Sequence, residues 1–234
     1  MGGTRPMMVY MRKIVYSCKL MLSGYLYGAL LYGIGLLLLL ANTKELGIGE
    51  AELHTLCSIL LLGMAPFSIL IFSNLFSEEM EERALGLIFT YRQKAVTLLI
   101  ERVVVAALLT VLLYGLCLVT AHYRILKLNS TDVWEISKMI LPANLYLASL
   151  ALFFSLIGRN VLVGLGVGMG YFILEMMTMG QWTGPMFLFQ SIWPKGVISL
   201  EEHSLYLLFA SVVSMVFSIL IFTYGKHRLA HNPS

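Results

Sequence analysis

The run "LMLSGYLYGALLYGIGLLLLLA", residues 20–41, carries no charged side chain, and a stretch of this kind limits the possible folds more than any motif in the chain. About twenty consecutive apolar residues in a helix match the thickness of a hydrocarbon layer, about 30 Å. Comparable blocks fall at 20–41, 53–76, 103–121, 139–157, 161–180 and 205–224. The sequence therefore predicts an all-α, polytopic integral membrane protein with six transmembrane helices, forming one membrane domain over residues 1–234. Composition agrees, with 59% apolar and 12% charged residues, where soluble domains hold roughly 45–50% and about 25%. The first block lacks an A-x-A-like cleavage site and is longer than a signal-peptide core, so it is read as a span.

Lysine and arginine are retained on the cytoplasmic side of membranes. With the N-terminus inside, the inner segments hold Arg5, Arg12, Lys13, Lys19, Arg83, Arg92, Lys94, Arg102, Arg159, Lys226 and Arg228, and the outer loops hold Lys44, Arg124, Lys127, Lys138 and Lys195. Both termini are expected to be cytoplasmic. The net charge of +3 follows from this asymmetry and gives no reason to expect a nucleic-acid partner. Cys18, Cys57 and Cys117 are scattered and odd in number, which supports neither a disulfide framework nor a metal motif. Asn129-Ser130-Thr131 forms a glycosylation sequon on the expected outer side, meaningful only in a eukaryotic secretory context.

Charge is concentrated in "FSEEMEERALGLIFTYRQKAVTLLIERV", residues 76–103. Met80, Ala84, Leu87, Ile88 and Tyr91 fall along one side of a helix over 78–91. Glu78, Glu79, Glu81 and Glu82 crowd its start, where the helix dipole favours negative charge. Glu79 and Arg83 can pair, whereas Glu78 and Glu82 repel. A basic partner would relieve that repulsion, and a solvated charge run at the membrane boundary is the plainer alternative. The outer segment 181–204 carries Trp182, Pro185, Trp193 and Pro194. It reads either as a short helix or re-entrant hairpin, or as an interfacial loop anchored by its tryptophans.

Six spans, an acidic amphipathic helix between the second and third, and a broken outer segment before the last together resemble the permease subunit of type 2 ABC transporters. "EERALGLIFTYRQKAVTLLIERV" and "FFSLIGRNVLVGLGVG" are similar to that family's inner-loop and fourth-to-fifth-span segments. Arg83-Ala84 and Arg92 stand where many relatives have Gly-Thr and a later proline. The resemblance implies that Glu78, Glu79, Glu81, Glu82, Arg83, Leu87, Ile88 and Tyr91 form a coupling helix docking on separate ABC ATPase subunits. It further implies a second permease copy or sister permease, with ATP and Mg²⁺ held on the partner ATPase and no cofactor on this chain. Export of a peptide or other hydrophobic compound across a bacterial cell membrane is the implied activity. The chain has no G-x-x-x-x-G-K-[ST] motif.

An enzymatic alternative starts from the same stretch. Glu78-Glu79-x-x-x-Arg83 matches the E-E-x-x-x-R signature of intramembrane CAAX-type proteases. His54, His122, His203, His227 and His231 fit neither histidine motif of that family, and a water-exposed glutamate lacks the environment that tunes a catalytic carboxyl.

Glu175 is the ionisable residue inside an expected span, a costly position that marks a substrate path or a cross-interface pair, unless it reaches the headgroups. Met176 and Met179 beside it suit a surface for varied apolar ligands or plain membrane core. Gly164, Gly166, Gly168 and Gly170 form two overlapping G-x-x-x-G pairs. These allow close helix approach, either within the subunit or at a dimer seam. His227 and His231 lie four apart in the basic tail, a spacing that alone does not make a metal site.

Overall fold

The computed structural model describes residues 24–43, 53–77, 80, 95–125, 127–193 and 199–230. Among them the chain is all-helical, with α1 Gly24–Ala41, α2 Leu53–Ser73, α3 Ala95–Arg124, α4 Ser130–Gly158, α5 Val161–Thr178 and α6 Leu200–Ala230. A short 3-10 turn at Gly184–Met186 lies between α5 and α6. Helices α2 to α6 include five segments long and apolar enough to cross a membrane, whereas the apolar run of α1, Leu26–Ala41, is shorter. The protein is thus a multi-pass membrane protein by the length and composition of its helices.

Three helices outrun the apolar blocks, and their caps explain where two of them begin. Helix α4 starts at Ser130 rather than near 139 because the Asn129 amide donates to Asp132 Oδ2 at 2.9 Å. Helix α6 starts at Leu200 rather than near 205, where the Ser199 amide donates to Glu202 Oε2 and the Glu202 amide to Ser199 Oγ, each at 3.2 Å. These are reciprocal capping boxes that satisfy orphan amides of a first turn. Helix α3 extends to Arg124 and begins at Ala95, before the block at 103. Between α4 and α5, Arg159 turns the chain in the left-handed region at φ 48° and Asn160 Oδ1 accepts from the Leu162 amide at 2.9 Å.

The helices alternate in direction. Cys57 meets Met139, and Ser68 Oγ donates to Asn144 Oδ1 at 3.2 Å, so α2 and α4 run the same way. Ser204 Oγ reaches the Lys138 carbonyl at 3.3 Å and Ser211 Oγ the Leu145 carbonyl at 3.1 Å, so α6 joins them. Helix α3 runs oppositely, with Tyr114 on Ser137 at one end and Arg102 on the Leu75 carbonyl at the other. Helix α5 is also reversed, because Gly164 faces Ser155 while Gly168 faces Ala151 and Ile69. Gly33 against Phe67 and Leu113, and Leu36 against Gly63, set α1 antiparallel to α2.

Helix α4 is the centre, packed by α2, α5 and α6, while α1 and α3 lie against α2. Over their apolar windows α2 and α4 are 61% and 67% buried, against 22%, 28% and 17% for α3, α5 and α6. Two helices therefore form the interior, and three turn broad apolar faces outward, Leu108, Leu162 and Phe209 among their residues. Such faces are the arrangement a hydrocarbon solvent requires. Residues 73–77, 95–102 and 158–161 share one end of the bundle, called basal below. Residues 41–43, 122–130 and 178–193 share the far end.

Pro66 and Pro142 lie inside α2 and α4. Proline removes a helix amide and strands the carbonyl four residues earlier. For Pro142 that carbonyl belongs to Lys138, the one Ser204 contacts. Near Pro66, the Tyr32 hydroxyl donates to the Gly63 carbonyl at 3.0 Å.

Candidate functional site

At the far end the chain between α5 and α6 turns back into the bundle. Met179, Gly180 and Gly184 have φ of 49°, 70° and 55°. At Gly180 a Cβ would enter the Phe187 ring, so glycine is required there by both conformation and space. Phe187, Leu188 and Phe189 are then fully buried, and Gln190 and Ile192 nearly so. Phe189 is the hub of the aromatic cluster, 5.6 Å from Phe172, 5.9 Å from Phe187 and 5.7 Å from Trp193, ring centre to ring centre. The segment thus folds back on the bundle with a buried apolar core.

Irregular backbone inside a bundle must find partners for its peptide groups. Glu175, with no exposed surface, accepts the Leu188 amide on Oε2 at 3.3 Å. The Tyr171 hydroxyl donates to the Met186 carbonyl at 3.2 Å. His203 Nε2 contacts the Phe187 carbonyl, and His54 Nε2 the Ile192 carbonyl at 3.2 Å. Tyr146 on α4 stacks edge-on against Tyr171, 5.6 Å between ring centres. A carboxylate, two imidazoles and a phenol from α2, α5 and α6 are thus spent on the backbone of residues 186–192.

At the basal end Arg102 is buried, 1% exposed. Its Nη1 donates to the Leu75 carbonyl at 2.6 Å, just past the end of α2, and its guanidinium lies 4.6 Å from the centre of the Phe76 ring. Phe76 packs on Phe222 of α6 at 4.7 Å. A cation at a helix C-terminus is favoured by the helix dipole. One side chain of α3 thereby braces the exit of α2 against α6.

Met176 and Met179 are 37% and 51% exposed, whereas Glu175 has no exposed surface. Gly164 and Gly168 face α4 and α2, while Gly166 and Gly170 have open space where a Cβ would stand. The expected coupling-helix residues Glu78, Glu79, Glu81, Glu82, Arg83, Leu87, Ile88 and Tyr91 lie outside the described residues. Met80 is described, half-buried against the core. Tyr171, His203, His54 and Arg102 were not among the sequence-derived candidates. The Ser199-Leu200-Glu201-Glu202 box was the available signal for His203, because it places that histidine in the first turn of α6.

No family model, curated protein or solved structure matches this chain.

Proposed function

We propose that the chain is the membrane-spanning permease subunit of an ATP-driven ABC exporter of the bacterial cell membrane. Two permeases, this chain with a second copy or a sister, pair with two ATPase subunits that carry ATP and Mg²⁺. The exported compound is a peptide or another hydrophobic molecule. The observation carrying this reading is that the charge-dense stretch 78–94 joins α2 to α3 at the basal end, where buried Arg102 ties the exit of α2 to α3. A docking element needs such a stiff base, because force applied by a soluble partner must reach the helices instead of bending the link. Charge beside an apolar stripe supplies orientation as well as affinity.

Exchanging Glu82→Lys with Arg83→Glu is expected to leave the protein inserted and to lower substrate-stimulated ATP hydrolysis by the assembled complex about tenfold or more, the scale of a broken interfacial charge contact. Unchanged hydrolysis removes the docking role from these residues.

The protease reading has less support. His54 and His203 lie at the far end beside residues 187–192, and His122 there accepts the Leu128 amide on Nδ1 at 3.1 Å. Residues 78–83 follow the opposite end of α2, whose 21 residues span about 30 Å at 1.5 Å each. These three histidines lie at the end of the bundle opposite Ser77, the residue that leads into the E-E-x-x-x-R stretch.

A further inference from the structure

The Phe187 carbonyl and the Leu188 amide are the two ends of one peptide group. His203 in the first turn of α6 contacts its oxygen, and Glu175 in the last turn of α5 accepts from its nitrogen. A carbonyl oxygen only accepts, so this contact requires His203 to carry its proton on Nε2. Helices α5 and α6 each pack on α4 instead of broadly on one another. The shared peptide is therefore a polar bridge between two helices that apolar packing leaves apart.

We propose that residues 186–192 form a plug closing the far end of the bundle, and that Glu175 and His203, gripping one peptide group from two helices, are its latch. Gly180 and Gly184, both at positive φ, provide a hinge upstream of the plug. Its aromatic core packs on Phe172 of α5, and its carbonyls are held by side chains of α2, α5 and α6. The polar anchors are side chains, so the plug releases by rotamer changes and separation of α5 from α6, with no helix unwinding. Tyr171 and His54 hold the flanking carbonyls of Met186 and Ile192 and guide its return. The latch operates at the end opposite the proposed ATPase contact and does not rest on that contact.

The test uses the full chain in mild detergent with Cys18→Ser and Gln190→Cys. Labelling by a polar maleimide is followed peptide by peptide by mass spectrometry. Buried Cys57 and Cys117 report general loosening in the same molecule. Glu175→Ala and His203→Ala are each expected to speed labelling at position 190 about tenfold or more, as loss of a charge-assisted or buried hydrogen bond shifts a local opening equilibrium. Because both grip one peptide, the double variant should fall well short of the product of the singles. Cys57 and Cys117 should stay slow throughout. Unchanged labelling at 190 in either single variant, a multiplicative double, or parallel acceleration at Cys57 and Cys117 overturns the latch.

Discussion

Gly164 shows how little room separates α5 from α4. A Cβ added there would run into Ser155 Oγ and the Ala151 carbonyl, whereas one at Gly166 would meet nothing. Without a hydrophobic force between helices in lipid, packing of this kind is a main source of association. Gly164→Ala is expected to destabilise the bundle by about 1–3 kcal/mol, the usual cost of overpacking, and Gly166→Ala to leave it unchanged. Thermal unfolding in detergent, followed by tryptophan fluorescence, separates the two. Equal stability of both variants would mean that α5 adjusts freely on α4. The spacing of the glycines was legible in the sequence, but which pair faces inward was not, because both pairs repeat at the same period along a helix apolar on every side. Glu175 stood out by its scarcity. His203 did not, because its link to Glu175 runs through a peptide group and leaves no side-chain spacing to read.

Among the elements, α4 is held to α6 by hydroxyls on carbonyls. Pro142 cannot donate to the Lys138 carbonyl, and Ser204 Oγ, whose single proton also reaches the Leu200 carbonyl at 2.9 Å, lies 3.3 Å from it. Ser204→Ala should therefore cost roughly 0.5–1.5 kcal/mol in the native chain and much less once Pro142→Ala has restored the helix amide. A double-mutant cycle on unfolding stability measures the difference. An equal cost in both backgrounds would show that the serine is indifferent to the missing amide. Each of the six described α-helices overlaps one of the apolar blocks, and α4 and α6 begin before theirs. Hydropathy registers side-chain transfer, while those starts are decided by Asn129 with Asp132 and Ser199 with Glu202. The outer segment was recognisably broken, but its return into the bundle depends on partners scattered over α2, α5 and α6.

For the whole molecule, the two ends are built for different work. The far end spends Glu175, Tyr171, His203 and His54 on an inserted segment. The basal end is braced by Arg102 and leads into the charge-dense stretch 78–94. The all-helical, multi-pass class was legible because hydrocarbon admits few backbone arrangements. The order of packing around α4 was not, since apolar faces in lipid do not specify neighbours. If the basal stretch receives a soluble motor, the bundle transmits motion from that end toward the plug at the other. The most direct test is affinity purification of this chain from its native membranes in mild detergent, with co-eluting proteins identified and quantified. A stoichiometric P-loop ATPase that is lost when Glu82→Lys and Arg83→Glu are combined is the expected result. Recovery of the intact chain with no ATPase, under conditions that preserve other membrane complexes, would contradict it.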